Sequence, residues 1–407
     1  MTLRRHALGM MALAIGQFAF SGPVLAQPAY KDPGISDSVV KIGGSYPFSG
    51  PGSAYGVINE GAKAYFDLVN SRGGVGGRKI EFVVLDDAYQ PSRSLSNARQ
   101  LVEQEKVFAL FNMGGTAHNQ AIGNYAAAQK IPHLYINTGA SSFIHDRPRY
   151  PMTLVGLPAY ETEAAAFAAY IKQKKPDAKI AVLYQNDPFG QDLLQPFELS
   201  AKNENLKIVA KEAYNASEPS VDAQVSKLAR SGADVLVSFT LPKFAAQAIQ
   251  KSAELAWKPM HLLTNVSAST EFVLKPAGFA ASQGIISTAF LRDPADPSMA
   301  NDPAVKEYVA ALKRSFPNAN PADPLRVRGY ANAQMVVKAL QDMKSPTREM
   351  LMQAAMNMDA DIPMLLPGVR VQTSPADAMP IKSLYMTRFE GDKWVLLGQP
   401  IVPKAKR

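Results

Sequence analysis

Short runs of aliphatic and β-branched residues alternate with longer stretches of mixed polarity along most of the chain. The first four of these runs predict buried strands, at residues 39–46, 79–85, 107–112 and 131–137. Between the first two runs, apolar residues from Ala62 to Val69 recur at i, i+3, i+4 and i+7, the spacing of one helix face. Pro91 begins a second predicted helix. Strands separated by helices in this way predict a parallel sheet covered on both faces.

The alternation begins again after a junction near residues 155–158. A second series of strands is predicted at residues 180–185, 208–213, 234–240 and 261–265. The helical patterns of this part lie near residues 160–173, 189–203, 221–231 and 242–256. Two such series predict an α/β protein with two similar lobes.

Beyond residues 284–290 the pattern changes to helices and then to short β-like segments. Helices are predicted, after a Pro- and Asp-rich stretch, near residues 303–315, 327–343 and 347–357. The β-like segments are predicted at residues 369–373, 383–389 and 393–397, the last two as a hairpin. Helices that follow two complete sheets are expected to return to the first lobe. More than one connection then crosses between the lobes, and these connections act as a hinge.

The N-terminus has the three regions of a secretory signal peptide. Arg4 and Arg5 precede an apolar run at residues 7–20, and the run is followed by Val24-Leu25-Ala26. A membrane anchor needs about 20 apolar residues, which is more than this run supplies. We predict a cleaved signal at residues 1–26, exported by the general or the twin-arginine route, and a periplasmic protein of a Gram-negative bacterium.

Composition excludes several classes of chemistry. The chain of 407 residues contains no cysteine, which rules out disulfides, thiolate metal sites, thiol nucleophiles and a lipid-modified cysteine. Its five histidines are scattered without the spacing of helical metal ligands. A net charge of +8 without basic blocks indicates a solvated surface rather than a nucleic-acid interface.

Two motifs that suggest catalysis have simpler interpretations. The glycine-rich run 73–77 follows a helix and precedes a strand, whereas a dinucleotide-binding loop follows a strand, so it predicts a tight turn. Asp86 and Asp87 follow a strand and are suited either to acid–base chemistry or to helix capping and loop hydrogen bonds. We predict no enzyme, no catalytic residue, no metal and no cofactor.

Four polar loops follow predicted strands, at residues 48–52, 112–116, 137–142 and 186–190. Their small residues allow backbone N–H groups to approach a ligand, and a following helix N-terminus adds partial positive charge. A carboxylate held by the amides of residues 114–116 and by the Ser141 hydroxyl fits this chemistry without a cationic side chain. Turn formation alone is the simpler alternative for any one of these loops.

Several of these motifs occur together in one known family. They are Ser49-Gly50-Pro51, Tyr55-Gly56, the run Asn-Ser-Arg-Gly-Gly-Val-Gly-Gly-Arg-Lys at 70–79, Asp86-Asp87, Gly114-Gly115-Thr116, Gly139-Ala140-Ser141 and Asp187-Pro188-Phe189-Gly190. In this order they span nearly all of the chain after the signal. The chain resembles the periplasmic substrate-binding proteins of ABC importers of the branched-chain amino-acid type.

The resemblance implies two Rossmann-like lobes joined by three crossovers, which close on a small ligand and deliver it to a permease with ATPase subunits. It implies a monomer with an N-terminal lobe at 37–156 and 289–363 and a C-terminal lobe at 157–288 and 364–400. The ligand-binding residues that it implies are Ser49, Tyr55, Met113, Gly114, Gly115, Thr116, Gly139, Ala140, Ser141, Tyr160, Phe189, Thr240 and Asn265.

Two departures from the family bear on the ligand. Amino-acid-binding members commonly carry an acid after the strand that here ends at Leu263, and this chain has Thr-Asn-Val-Ser-Ala at 264–268. An unpaired ammonium is costly in a closed cleft, which disfavours an α-amino acid. Members with a first-lobe disulfide have cysteines at the places of Tyr89 and Met113. The side chains expected near the cleft are apolar or aromatic, namely Met113, Tyr55, Phe189 and Tyr160. We therefore expect an apolar or aromatic acid of the benzoate or phenylpropanoid type.

Three alternatives stay open on the sequence alone. The first is a branched-chain amino acid or amide bound by the same mechanism. The second is a sensor that presents its ligand to a membrane receptor. The third, a periplasmic hydrolase, requires a positioned nucleophile and base that the scattered histidines do not supply.

Overall fold

The computed structural model describes residues 30–401, so the predicted signal peptide lies outside the described residues. Two large sheets organise this part of the chain. The first sheet has five strands, all parallel, in the order β2-β1-β3-β4-β5. The second sheet is mixed and has seven strands in the order β14-β13-β10-β9-β8-β6-β7. The strands are β1 Val39–Tyr46, β2 Lys79–Asp86, β3 Ala109–Phe111, β4 His133–Ile136, β5 Thr153–Val155, β6 Lys179–Gln185, β7 Lys207–Tyr214, β8 Val235–Phe239, β9 Met260–Leu263, β10 Ile286–Ala289, β11 Asp359–Ala360, β12 Val371–Gln372, β13 Leu384–Glu390 and β14 Lys393–Ile401.

Helices cover both sheets, in the α/β arrangement that the alternating pattern predicted. They are α1 Ile58–Ser71, α2 Pro91–Glu103, α3 Thr116–Ala128, α4 Ser141–His145, α5 Tyr160–Lys174, α6 Pro188–Asn203, α7 Asp222–Ala229, α8 Pro242–Glu254, α9 Lys275–Ala277, α10 Phe279–Ser282, α11 Pro303–Ser315, α12 Pro324–Asp342 and α13 Arg348–Met356. Short helical turns lie at Ser53–Val57, Asn265–Ser267, Thr270–Leu274 and Pro297–Met299.

The chain passes between the two sheets three times. It leaves the first sheet after β5, returns after β10 so that α11 and α12 pack on α1, and goes back to the second sheet at β13. This is the fold of two lobes joined by three crossovers. We call the elements around the first sheet the first lobe and those around the second sheet the second lobe; the numbered domain boundaries stay a prediction.

Local sequence signals explain several element ends. In the run 73–77 all four glycines adopt positive φ, from +56° at Gly76 to +104° at Gly73, which confirms the tight turn between α1 and β2. Asp187 accepts hydrogen bonds from the backbone N–H groups of Phe189 and Gly190 and thereby caps α6. β13 and β14 pair antiparallel with Glu390 opposite Lys393, which confirms the hairpin.

Three sequence predictions differ from the structure. Residues 153–155, near the predicted junction, form the fifth strand of the first sheet and pair with β4. α12 begins at Pro324 rather than near 327, since Asp323 caps it by accepting from the Leu325 N–H. The predicted segment 369–373 contributes only β12, which pairs with β11 in a separate two-stranded sheet.

Within residues 30–401, no helix has both the length and the apolar character that a bilayer crossing needs. In the same residues, no group of three or more His, Cys, Asp or Glu side chains is arranged to hold a metal ion.

Candidate functional site

A cavity lies between the two lobes, where the carboxyl ends of the strands face each other. Ligand sites of α/β proteins occur at such strand ends, since the following loops and helix N-termini supply polar groups there. The space between its lining atoms is about 350 Å³ when the part open to solvent is included. Its lining residues are Tyr46, Tyr55, Ile58, Tyr89, Gly114, Gly115, Asn137, Tyr160, Phe189, Leu241, Val266 and Arg328.

Five of the twelve residues that line this cavity are aromatic. Tyr160 of α5 packs edge-on against Phe189 of α6, with ring centroids 5.7 Å apart. The Tyr46 hydroxyl accepts a hydrogen bond from Asn137 Nδ2 at 2.5 Å. Burial raises the pKa of Tyr46, Tyr55 and Tyr160 well above the ordinary value, so all three are neutral phenols. Together they offer flat apolar faces with neutral hydroxyl groups.

Arg328, on the inner side of α12, is the cation of the cavity wall. It is 2% exposed, and its Nη2 donates to the Asn265 carbonyl at 3.1 Å. Its Nε has no hydrogen-bond partner among the described residues. Burial lowers its pKa, against the electrostatic effect of Tyr55, Tyr160 and Tyr46. None of the ion pairs within residues 30–401 includes it. The cavity therefore has a positive charge and no acidic side chain in its lining.

The polar groups that follow β9 donate hydrogen bonds to a buried carboxylate, that of Glu163. Glu163 accepts hydrogen bonds from Thr264 Oγ1 at 2.6 Å, from Thr288 Oγ1 at 2.6 Å, and from the backbone and side-chain nitrogens of Asn265 at 2.8 and 2.9 Å. Burial raises the pKa of Glu163, and these four hydrogen bonds oppose that effect. The segment where amino-acid-binding relatives commonly carry an acid thus serves a structural network.

Five of the sequence-predicted site residues line the cavity: Tyr55, Gly114, Gly115, Tyr160 and Phe189. The other eight are not in the lining and have contacts of their own. Ser49 donates to Asp86, Ser141 donates to Asp192, and Asn265 donates to Glu163. Thr116 shares a hydrogen bond with Thr138, and the Gly139 carbonyl accepts from the Tyr160 N–H. Met113, Ala140 and Thr240 are buried. Their roles toward a ligand stay predictions.

Ser141, Met113 and Thr240, which were predicted to bind the ligand, have other surroundings in the structure. The Ser141 N–H and Oγ–H both donate to the Asp192 carboxylate, at 2.8 and 2.5 Å, and so tie the first lobe to α6 of the second lobe. Met113 packs in a small core with residues of α2 and α3 rather than against the cavity. The Thr240 hydroxyl is buried without a hydrogen-bond partner in the described chain.

Asp86 and Asp87, the candidate acid–base pair, hold loops together. Asp86 accepts from the N–H groups of Phe48 and Ala88, and Asp87 accepts from the hydroxyl groups of Ser45 and Ser94. Their hydrogen bonds match the loop-forming interpretation.

Arg328 is the residue of the cavity that sequence reasoning missed. The sequence analysis considered a carboxylate site without a cationic side chain, whereas α12 carries Arg328 into the cavity lining. In the structure α12 buries fifteen of its nineteen residues, Arg328 among them, although arginine is rarely buried unless paired. The sequence does not show which end of such a helix faces the cleft. Six further lining residues were also not predicted, namely Tyr46, Ile58, Tyr89, Asn137, Leu241 and Val266.

The comparison with protein families agrees with this geometry. The pattern of the family described as periplasmic binding protein matches residues 39–393, which is most of the chain. The chain belongs to the periplasmic binding protein family. This periplasmic binding protein is a ligand-binding component and not an enzyme. It is 25% identical over 334 residues to Leu/Ile/Val-binding protein homolog 7 of Brucella abortus, covering 79% of this chain and 82% of that relative.

Solved structures show the same fold. A branched-chain amino acid ABC transporter protein from Thermus thermophilus with bound valine aligns with a TM-score of 0.82 at 18% identity, covering 91% of this chain and 98% of that one. A solute-binding protein of an ABC transporter from R. palustris in complex with benzoate aligns with a TM-score of 0.77 at 20% identity, covering 90% and 99%. At such identities the likeness extends to the fold and not to the ligand.

Proposed function

We propose that this periplasmic binding protein is the solute-binding component of an ABC importer for a small aromatic carboxylate. The observation that carries the proposal is the lining of the interlobe cavity, in which four tyrosines and Phe189 surround one arginine and no acid. Aromatic walls bury the ring of such a ligand, and the positive charge suits its carboxylate. A solved complex with benzoate shows that this fold can bind such a ligand.

An α-amino acid suits this cavity less well. Its ammonium group needs an anionic or carbonyl partner when water is excluded. The lining contains no acidic side chain, and Glu163 already accepts four hydrogen bonds from its own neighbours. The ammonium would instead share the cavity with the Arg328 cation, which is an unfavourable interaction.

Ligand binding and lobe closure are coupled in this proposal. Tyr46 and Gly114 belong to the first lobe, whereas Leu241 and Val266 belong to the second, and all four line the same cavity. A ligand therefore makes its full set of contacts only when the lobes are closed. Its preference for the closed form shifts the population toward that form, which the permease then recognises in the periplasm.

A thermal-shift and calorimetric screen of the purified protein tests the proposal. The panel contains benzoate, 4-hydroxybenzoate, cinnamate, hexanoate, succinate, leucinamide, leucine and valine, all at neutral pH. An aromatic acid at 100 times its dissociation constant should stabilise the protein by about 2.7 kcal/mol. Stabilisation by leucine or valine but by no aromatic acid contradicts the proposal.

Variants at Gly114 give this screen a matched control. A Cβ at Gly114 would lie 3.6 Å from two ring carbons of Tyr46, which is ordinary contact, and the φ angle there needs no glycine. Gly114→Ala should therefore fold and bind, whereas Gly114→Phe should fold but fill the cavity and abolish binding. Equal affinity of the two variants removes this loop from the site.

A further inference from the structure

Two neighbouring arginines on α12 have very different surroundings. Arg326 donates from Nε to Glu60 and from Nη1 to Glu271, both at 2.7 Å. Arg328, although more deeply buried, makes one hydrogen bond to a neutral carbonyl and leaves Nε without a partner within residues 30–401. A buried guanidinium without a counter-ion is costly, by several kcal/mol for an isolated ion, so a protein rarely keeps one without a use for it.

The acids near Arg328 are occupied elsewhere. Asp323 accepts hydrogen bonds from Ser269 Oγ and from the N–H groups of Leu325 and Glu271. Glu163 is saturated by its four donors. Asp293 shares a second cavity with Arg328 and accepts from the Ala295 N–H, but forms no ion pair with it in the described chain. Within residues 30–401, none of these three carboxylates forms an ion pair with Arg328.

We propose that Arg328 binds the carboxylate of the ligand and is the residue that selects anionic ligands over α-amino acids. This inference rests on the proposed function and deepens it. The guanidinium provides paired N–H donors in the plane that a carboxylate needs, so a bidentate interaction fits. The anchor for the carboxylate is then a side chain of α12 rather than only the amides of residues 114–116.

The position of Arg328 also determines where the rest of the ligand lies. Arg328 separates the aromatic cavity from a second cavity, lined in part by Ala289, Phe290, Ala322 and Trp394. Both cavities are lined by residues of both lobes, but the four tyrosines line the aromatic cavity and not the second one. We place the aromatic ring there, among Tyr55, Tyr160 and Phe189, with the carboxylate directed toward α12.

The first test replaces the charge and leaves the shape nearly unchanged. Arg328→Met removes the guanidinium, and Arg328→Lys retains a cation without the bidentate geometry. For benzoate, loss of a buried charge partner should weaken affinity about 100-fold in Arg328→Met and less in Arg328→Lys. The unliganded Arg328→Met protein should melt at the same or a higher temperature than the wild type, because an unpaired buried charge has been removed.

The outcomes separate this inference from the proposed function. Wild-type affinity for benzoate that persists within threefold in Arg328→Met overturns the role of Arg328 and leaves the function standing. Binding of hexanoate alone, lost in Arg328→Met, overturns the aromatic ligand and supports Arg328. A melting temperature of unliganded Arg328→Met well below that of the wild type assigns Arg328 a structural role and overturns the inference.

A pair of cavity-filling variants tests the placement of the ring. Val266→Phe fills the aromatic cavity and should weaken benzoate binding at least tenfold. Ala322→Phe projects into the second cavity from a partly exposed position and should leave the affinity unchanged. The reverse result places the ligand in the second cavity and overturns this part of the inference.

Discussion

Arg326 and Arg328 lie on two sides of the first turns of α12, and their buried charges have different partners. On one side Arg326 joins Glu60 of α1 to Glu271, which lies between β9 and β10 of the second lobe, and its charge is balanced by two carboxylates. On the other side Arg328 faces the interlobe cavity with a single carbonyl partner. The helix is the same and both side chains are buried. Only the partners differ.

This difference distinguishes a charge that holds the protein together from one that is reserved for a ligand. Removing one member of a satisfied pair leaves its partner uncompensated, and stability falls. Removing an unsatisfied charge takes away a cost, and what falls is affinity for the anion that would have completed it. The effects of matched substitutions at the two positions on unfolding should therefore differ in sign.

The largest expected effect on stability is that of Arg326→Met. Glu60 and Glu271 are about one-third exposed, at 31% and 32%, so solvent screens part of the loss, and we expect the free energy of unfolding to fall by about 2 kcal/mol. Urea denaturation of the unliganded protein at neutral pH measures it. Arg328→Met is the matched control and should show no such loss. Equal losses in the two variants would contradict the conclusion that only the charge of Arg326 stabilises the unliganded protein.

The pH dependence of stability tests whether Asp293 is the counter-ion of Arg328. Burial raises the pKa of Asp293 from 3.8 to about 6, although the Ala295 N–H opposes this, and a nearby guanidinium would have lowered it. A carboxyl group with a raised pKa stabilises the fold below its unfolded pKa, and that contribution is lost as the pH rises through the folded value.

Between pH 4 and pH 7 the wild type should therefore lose about 2 kcal/mol of unfolding free energy relative to Asp293→Asn, after allowance for the partial exposure of the side chain. Chemical denaturation at several pH values measures the difference. If the stability of the wild type relative to Asp293→Asn stays constant or rises between pH 4 and pH 7, Asp293 pairs with a cation such as Arg328.

The smallest effect concerns the contact between Ser141 and Asp192 at the rim of the cavity. Asp192→Asn and Ser141→Ala each remove hydrogen bonds that close the lobes, so each should weaken affinity for benzoate about fivefold, equivalent to about 1 kcal/mol. If Ser141 acts only through Asp192, the double variant should be no weaker than either single variant. Additive effects, measured by calorimetry in a double-mutant cycle, would support the predicted contact of Ser141 with the ligand.

Local signals predicted much of the fold because they act between near neighbours. The strands of both sheets follow the aliphatic runs, and the turn between α1 and β2 follows from the four glycines at 73–77. The short strand Thr153–Val155 was missed because three residues show no period. The start of α12 was missed by one turn even though Asp323-Pro324 is a capping signal.

The candidate site was predictable where it lies on strand ends. Tyr55, Gly114, Gly115, Tyr160 and Phe189 were expected in the cleft and do line it. Ser141 and Asn265 were expected there as well, but their polar groups contact Asp192 and Glu163, which lie 51 and 102 residues away in the sequence. Such partners depend on tertiary packing, between the lobes for Ser141 and Asp192 and within the second lobe for Asn265 and Glu163.

The sequence by itself determined the α/β alternation, the two series of strands, the loops at their ends and the family resemblance, because these depend on periodicity and on short motifs. The tertiary structure alone decided which charges are balanced. Burial and the distance to a counter-ion are properties of residues far apart in the chain, and so Arg326 and Arg328, two positions apart on α12, are alike in sequence but paired with carboxylates in one case and unpaired in the other.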